Sequence, residues 1–389
     1  MPIDSAASIV VFEHPVIAQD CVDALQVLGF TTTYLPLTED NVMALMTARP
    51  DYVLTINFNQ FISQVCELLK IAYLSWVVDT PCYSIYDKAV SQSCSFTFLY
   101  DAAIAQRLRS SGVRQVYHLP LAANLDRIGM LQSHSGDPAR DVTFVANLTR
   151  TEYRTHIMPR LSAATKAHCA QLIDCLDQPC DTFRLAEQIE DSLIDAVMQE
   201  SGYQLVGDHY LTVAEKLAYL LGREHSWQER INFVNALERR LQVGVYGNTE
   251  WHDVIGCYAG HADHFSEMPT IFRTSKINLN LSRSFVEYGL PMRIFDVLSC
   301  GGFLVTNDKA DLQKLFTADK DLVIFRDVQD LTEICAYYLE HEEQRKAIAE
   351  QGRITVARDH TYVARLTDMV ATVQRVRRGD PMPLSRWYA

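Results

Sequence analysis

Residues Ser275–Phe316 read SKINLNLSRSFVEYGLPMRIFDVLSCGGFLVTNDKADLQKLF. The apolar run Ile277–Leu281 ends in a polar loop holding Arg283 and Glu287, and an amphipathic segment from Pro291 to Cys300 carries Arg293 and Asp296. Gly301-Gly302, a second apolar run from Phe303 to Thr306 and a helix-like segment from Lys309 to Phe316 complete it. The order is strand, loop, helix, strand, helix, with charge gathered where a strand hands over to a helix. Open α/β sheets bind ligands at such junctions, because a helix N-terminus offers free N–H groups and positive potential.

The same alternation runs through the first half of the chain. Strand-like runs at Ser8–Glu13, Thr31–Leu35, Asp51–Ile56, Ala72–Val78, Ser95–Tyr100 and Gln115–Leu119 are separated by helical patterns at Ala18–Leu28, Asn41–Thr47, Phe61–Leu69 and Ala102–Ser110. Continuous apolar strands with helical crossovers predict a parallel sheet covered on both faces. The first strand is not followed by G-x-G-x-x-G, which argues against a dinucleotide site there. After a turn-rich linker at Gln132–Arg140, strands recur at Asp141–Ala146, Gln242–Tyr246, Lys276–Leu281, Phe303–Thr306 and Leu322–Phe325. Between them, Tyr153–Leu241 reads as a helical insertion, with shorter helices at Met268–Arg273 and Leu331–His341, and Glu342–Arg378 reads as helical throughout. The expected domains are 1–135, 136–365 with the insertion at about 153–241, and a tail 366–389 folding back on the first domain.

Composition narrows the function. A chain of 389 residues usually exceeds one core. A net charge of −13 argues against broad nucleic-acid binding, which needs clustered Lys and Arg. The N-terminus lacks a basic region ahead of a long apolar run, so no signal peptide is expected, and no apolar stretch suffices for a membrane helix. Ten scattered cysteines without a Cys-x-x-Cys pair suit reduced thiols in the cytoplasm. The His168, Cys169, Cys175, Cys180 set and His261, Asp263, His264 match no common metal spacing, and Asp319-Lys320-Asp321 reads as a turn. No metal or other cofactor is expected. Arg375, Arg377 and Arg378 end the last helix, where they suit the macrodipole; peripheral membrane contact is the other reading.

Two strand ends of the first half carry candidate chemistry. Glu13-His14 follows the first strand, where His14 is either a base or a solvated loop residue. Asp79 follows the fourth strand with Trp76 before it and Pro81 and Tyr83 after. A carboxylate flanked by aromatics suits a sugar, whose C–H face stacks while its hydroxyls hydrogen-bond; the plainer reading is a turn over a core Trp.

Trp76-x-x-Asp79-x-Pro81, DVTFVAN from Asp141, SKINLNLSRS from Ser275 and RIFDVLSCGGFLVT from Arg293 together resemble the CgeB-like, spore-maturation-protein type of bacterial GT-B glycosyltransferase. Tyr337–Arg365 is similar to the tail of that group. The resemblance implies two Rossmann-like domains facing across a cleft, and a metal-independent transfer from a nucleotide-sugar donor, UDP- or similar, to a protein or glycan acceptor, with a lean to retention. It implies that Asp296 accepts from the ribose hydroxyls, with Gly301 in step. Glu287 would be the first acid near the donor sugar, although eight residues separate it from Asp296 where the family has seven. Ala146 stands where the wider family has Gly. Arg293, Arg283 and Lys276 would meet the phosphate charge that develops as the bond breaks, and Gly301 and Gly302 would let backbone approach the nucleotide. Glu13, Trp76 and Tyr83 would contact the acceptor, with Asp79, His14 and Glu287 as catalytic candidates. Closure over the donor, hinged at Asn124–Arg140 and the tail, is expected. A sugar-nucleotide epimerase of the same fold and a non-catalytic nucleotide-sugar or glycan binder are the alternatives.

Overall fold

The computed structural model describes residues 7–125, 127, 140–177 and 182–380. It contains two parallel six-stranded sheets flanked by helices, the α/β architecture expected. The first has strands β1 (Ser8–Phe12), β2 (Thr31–Leu35), β3 (Tyr52–Ile56), β4 (Ala72–Val77), β5 (Ser95–Leu99) and β6 (Val116–His118), in the order β2-β1-β3-β4-β5-β6. The second has β7 (Val142–Val145), β8 (Val243–Tyr246), β9 (Tyr258–Gly260), β10 (Ile277–Asn280), β11 (Leu304–Asn307) and β12 (Val323–Phe325), in the order β12-β11-β10-β7-β8-β9. Every strand pairing is parallel. All strand C-termini of a sheet therefore share one edge.

The chain divides into two compact units. The first takes the described residues up to Leu125, Tyr288–Met292 and those from Val356 onward; the second takes the described residues of Asp126–Glu287 and Arg293–Thr355. Most of the linker Gln132–Arg140 and the end of the expected tail, 381–389, lie outside the described residues, as does Cys180.

In the first unit, strands β3, β4 and β5 are buried along their whole length, because helices cover both faces. Helix Tyr362–Arg378 packs on helix Ala18–Val27. Its anchor is Arg365, fully buried, whose Nε donates to the carbonyls of Pro120 (2.9 Å) and Leu121 (3.2 Å) and whose Nη1 donates to Asp359 O (3.0 Å). The helical stretch expected over Glu342–Arg378 is two helices, Glu342–Asp359 and Tyr362–Arg378, parted at His360-Thr361. Thr361 caps the second by accepting from Ala364 N (3.2 Å), which a continuous helix would not allow.

In the second unit, polar side chains knit the strands together. Thr143 Oγ1 donates to Asn278 Oδ1 (3.1 Å), and Asn280 Nδ2 reaches Thr306 Oγ1 (2.8 Å) and Ser282 Oγ (3.0 Å). Each of these groups is buried, so pairing is what makes its burial tolerable. The insertion consists mainly of helices Ala163–Asp174, Thr182–Glu187, Asp191–Ser201 and Val213–Glu238, with a core of its own around Ile157, Leu185, Val197 and Leu217. Asp321 is buried and accepts from Thr317 N (2.8 Å) and Thr355 Oγ1 (2.7 Å), a turn lock consistent with the turn read at Asp319–Asp321. The strand β9 and the short span of helix Leu312–Leu315 differ from expectation: β9 is only Tyr-Ala-Gly, and Lys309 sits before the helix with its Nζ donating to Val286 O.

Arg365→Met removes the donors to the buried carbonyls of Pro120 and Leu121 and the half-buried one of Asp359, so unfolding free energy should fall by about 3 kcal/mol or more. Urea denaturation of the variant against the parent chain measures this, and an unchanged midpoint contradicts the anchor.

Candidate functional site

The second unit places its richest chemistry where β7 and β10 end. Helix Val213–Glu238 begins with a capping box, Thr212 and Glu215 each accepting from the other's backbone N–H, which fixes its start. Gly222 on this helix lets the loop after β10 come close: a Cβ there would stand 2.9 Å from Phe285 Cβ. Ser284 then bonds Ser226 through its backbone N–H (2.9 Å) and Gly222 O through its hydroxyl (3.1 Å). Ser282 is held on its other side by Asn307, which accepts from its N–H (2.7 Å) and donates to its carbonyl (3.0 Å).

This packing brings Arg230, nine-tenths buried, between the two strand ends. Its Nη1 donates to Asn147 O (2.9 Å) after β7 and its Nη2 to Leu281 O (3.1 Å) after β10. Its Nε is buried and finds no acceptor among the described residues. Burial, then the charge of Arg283, oppose its ionised form; Glu229 acts the other way, and Arg293 opposes it least. A pocket beside it is lined by Asn147, Thr151, Arg223, Trp227, Arg230 and Arg283 among others. Three guanidinium groups on one wall, one with an unused N–H, form a donor set for an anion.

The carboxylates nearby are already engaged. Glu224, fully buried, accepts from Thr151 Oγ1 (2.6 Å), Gln228 Nε2 (2.8 Å) and Arg154. Glu287 is buried, and its Oε1 accepts from Thr182 N (3.0 Å) at the start of helix Thr182–Glu187. Asp296 is buried on helix Met292–Ser299 beside Arg293, whose charge it supports against burial. Arg293 itself turns toward helix Met268–Thr274, donating to Met268 Sδ (2.9 Å) and lying 5.3 Å from the Phe272 ring centre.

Three of the predicted donor residues lie elsewhere. Lys276 starts β10 and pairs with Asp141 (2.7 Å) at the start of β7. In a parallel sheet that is the edge opposite the strand ends, so Lys276 does not reach the pocket. Gly301 and Gly302 close helix Met292–Ser299 just before β11, also at that opposite edge; their N–H groups donate to Leu298 O and Val297 O (both 3.0 Å). Gly301 holds the positive φ of a helix stop, and a Cβ on Gly302 would stand 2.7 Å from Phe272 O and 2.8 Å from Asn278 Nδ2. These glycines serve capping and packing, not approach to a ligand.

In the first unit, His14 and Asp79 follow β1 and β4 on the same sheet edge. His14 Nδ1 accepts from Val16 N and Ile17 N (both 3.3 Å), so the ring opens helix Ala18–Val27, and burial lowers its pKa against the pull of Asp79. Asp79 is exposed and accepts from Asn57 Nδ2 (2.7 Å). Asn57, at φ 63° after β3, also accepts from Val78 N (3.0 Å), and its part in holding Asp79 is invisible in the sequence. Glu13 is exposed and Tyr83 half-buried at this edge. Trp76 contradicts its expected role: it is fully buried, donates to Leu119 O (3.3 Å) and meets Tyr362 edge-on, so it is core and offers no face to a sugar. Tyr288 and Gly289, though inside the quoted stretch, belong to this unit. Tyr288 N donates to Asp101 Oδ2 (3.2 Å), and a Cβ on Gly289 would stand 2.7 Å from the Tyr100 ring.

The sequence reading also missed Arg223, Trp227 and Arg230, which lie in the insertion helix. His264 is lowered to about 4 by burial and by Arg127 and Arg293, with Asp263 opposing. Among the described residues no group of three or more His, Cys, Asp and Glu is placed to hold a metal, and no helix is long and apolar enough to cross a membrane.

Residues 213–371 match the family model Glyco_trans_1_2, described as glycosyl transferase-like. No curated protein matches the chain by sequence. The fold is similar to that of HepE from Anabaena in complex with UDP-glucose, at TM-score 0.52 and 12% identity over 95% of this chain and 99% of that one. It is equally similar to a glycosyltransferase from Rickettsia africae, at TM-score 0.52 and 10% identity over 96% and 98% of the two chains. The architecture is thus GT-B, and the glycosyl transferase-like segment makes the chain an enzyme of the glycosyltransferase class.

His264 titrates near 4 in the fold and near 6.5 when unfolded, so between those values only the unfolded chain holds the proton. The stability conferred by the neutral ring is complete above pH 6.5 and is lost as pH falls toward 4. Thermal melts from pH 7 to pH 4.5 should show a loss that His264→Gln reduces by about 2 kcal/mol, discounted for partial exposure.

Proposed function

We propose that this enzyme transfers a sugar from a nucleotide-sugar donor held by the second unit, with the arginine pocket at the ends of β7 and β10 receiving the donor's diphosphate. The observation that carries the reading is Arg230: a buried guanidinium with an unused Nε–H, beside Arg223 and Arg283, inside the segment matched as glycosyl transferase-like. As the glycosidic bond to the leaving phosphate breaks, negative charge grows on that phosphate, and fixed guanidinium groups in a partly enclosed site stabilise it without reorganising. This supports a metal-independent mechanism. The donor is of the UDP type in this reading, in keeping with the UDP-glucose in the HepE structure of the same fold. Asp296, behind Arg293 on helix Met292–Ser299, is assigned to the ribose hydroxyls, following the resemblance to the CgeB-like group.

Acceptor binding is assigned to the strand-end edge of the first unit, where Glu13 and Asp79 are exposed. Asp79, oriented by Asn57, is the group able to take a proton from an acceptor hydroxyl if transfer inverts. His14 is less suited to that task, because its Nδ1 is spent on two backbone N–H groups. Glu287 is likewise committed through Oε1 to Thr182, so a direct role at the donor sugar is not part of the proposal. The acceptor is a protein or glycan. The described cysteines are all free thiols, which suits a reducing compartment such as the cytoplasm.

Thermal shift with UDP-, GDP-, dTDP- and CMP-sugars and their nucleoside diphosphates tests donor binding, and release of nucleoside diphosphate with candidate acceptors tests transfer. Arg283→Ala should weaken nucleoside diphosphate affinity about tenfold, since it removes one charged contact in a pocket that keeps its other arginines. Asp296→Ala should lose nucleotide affinity while the circular dichroism spectrum stays unchanged. Stabilisation by none of these nucleotides would falsify the donor assignment.

A further inference from the structure

We propose that Glu224 is a positioning residue that sets Trp227 as an additional hydrogen-bond donor to the diphosphate; this rests on the donor reading above. The indole of Trp227 lines the pocket beside Arg230 and Arg283. Its Nε1 is buried and meets no acceptor among the described residues, the second unused donor in the same pocket after Arg230 Nε. An unpaired N–H costs free energy when buried, unless an acceptor arrives with the ligand. A phosphate oxygen is the acceptor suited to an indole N–H set among three pocket-lining arginines.

What orients the ring is a chain of contacts that starts at Glu224. That carboxylate is fully buried on helix Val213–Glu238, one turn before Gln228, and accepts from Thr151 Oγ1, Gln228 Nε2 and the guanidinium of Arg154. Arg154 Cζ then stands over the indole, 3.8 Å from its centre. A cation over a ring face is attractive and fixes the ring plane, and here the cation is itself fixed by a carboxylate that water does not reach. Thr151, on the other arm of Glu224, lines the same pocket. One buried acid therefore sets two elements of the wall: the loop after β7 through Thr151, and the indole through Arg154. Arg223, also lining the pocket, pairs instead with the exposed Glu152 at 3.8 Å.

Inorganic pyrophosphate, titrated by isothermal calorimetry and by tryptophan fluorescence, is the probe. Trp227→Phe keeps the ring and removes the N–H, and should raise the pyrophosphate Kd about tenfold while removing most of the fluorescence change. Glu224→Gln keeps shape and one hydrogen bond but loses the charge that holds Arg154, and should raise the Kd by a similar factor. Because both act through one donor, the double variant should weaken binding about tenfold, not the hundredfold of two independent losses. If Trp227→Phe binds pyrophosphate as the parent does while Arg283→Ala does not, the indole has no part in binding and this inference fails while the donor reading stands. Additive losses would show that Glu224 acts through something other than the indole, overturning its positioning role. If the parent chain binds neither pyrophosphate nor any nucleoside diphosphate, both readings fall. Trp227→Phe stays informative even if Glu224→Gln unfolds the protein.

Discussion

A guanidinium cannot shed its proton in a protein, so burying one obliges the fold to meet it with acceptors. Arg230 is the point at which the second unit accepts that obligation. Its two terminal nitrogens are bonded to the carbonyls of Asn147 and Leu281, the residues at which β7 and β10 give way to loops. The bonds fix the two strand ends relative to helix Val213–Glu238 and so fix the pocket's floor. They do not cancel its charge, since a carbonyl is a dipole, and Arg283 and Arg293 add charge of the same sign. The like charges around Arg230, partly offset by Glu229, are held together by packing elsewhere: Phe285 on Gly222, the Ser226–Ser284 contacts and the Asn307 clasp on Ser282. An anion bound in the proposed pocket would offset that repulsion, which is preorganisation in the sense that matters for a developing phosphate charge.

How much of this was legible in the sequence follows from what each residue's neighbours reveal. Strands such as Tyr52–Ile56 and Ala72–Val77 were readable because a parallel strand buried on both faces is a continuous apolar run. Tyr258–Gly260 was not, since three half-buried residues ending in glycine carry no periodic signal. Arg283, which lines the candidate pocket, drew notice in the sequence because it follows a strand closely. Arg230 and Trp227 did not, because on a 26-residue helix a polar residue looks like part of a solvated face until the tertiary fold shows which face is covered. Lys276 misled for a topological reason. It is as near the motif in sequence as Arg283, but it precedes its strand, and parallel pairing sends strand starts and strand ends to opposite edges. Gly302 misled because close backbone approach has two causes, a ligand or another segment, and here Phe272 and Asn278 fill the space. Trp76 misled in the same way, an aromatic beside a carboxylate in sequence being separated from it by the alternation of a strand.

The two sheets end in opposite chemistry. In the first unit the strand-end loops are organised by neutral and acidic groups: His14 opens a helix through an unprotonated nitrogen, Asn57 orients Asp79, and Asp101 caps helix Ala102–Ser110 while accepting from Tyr288. In the second unit the loops around the pocket are set among arginines, and Glu224, fully buried there, is consumed by Thr151, Arg154 and Gln228. An excess of 48 acidic over 35 basic residues makes that second arrangement the harder one to build, because most of the chain's surface favours cations over anions. A negatively charged donor bound in the proposed pocket would meet a local inversion of the protein's field, and its affinity would depend on how well the inversion is walled off from the rest. Burial of Arg230 does part of that walling. The pairing of Arg154 with Glu224 does the remainder, since it spends one cation on structure and leaves the pocket's charge concentrated on Arg223, Arg230 and Arg283, the three that line it.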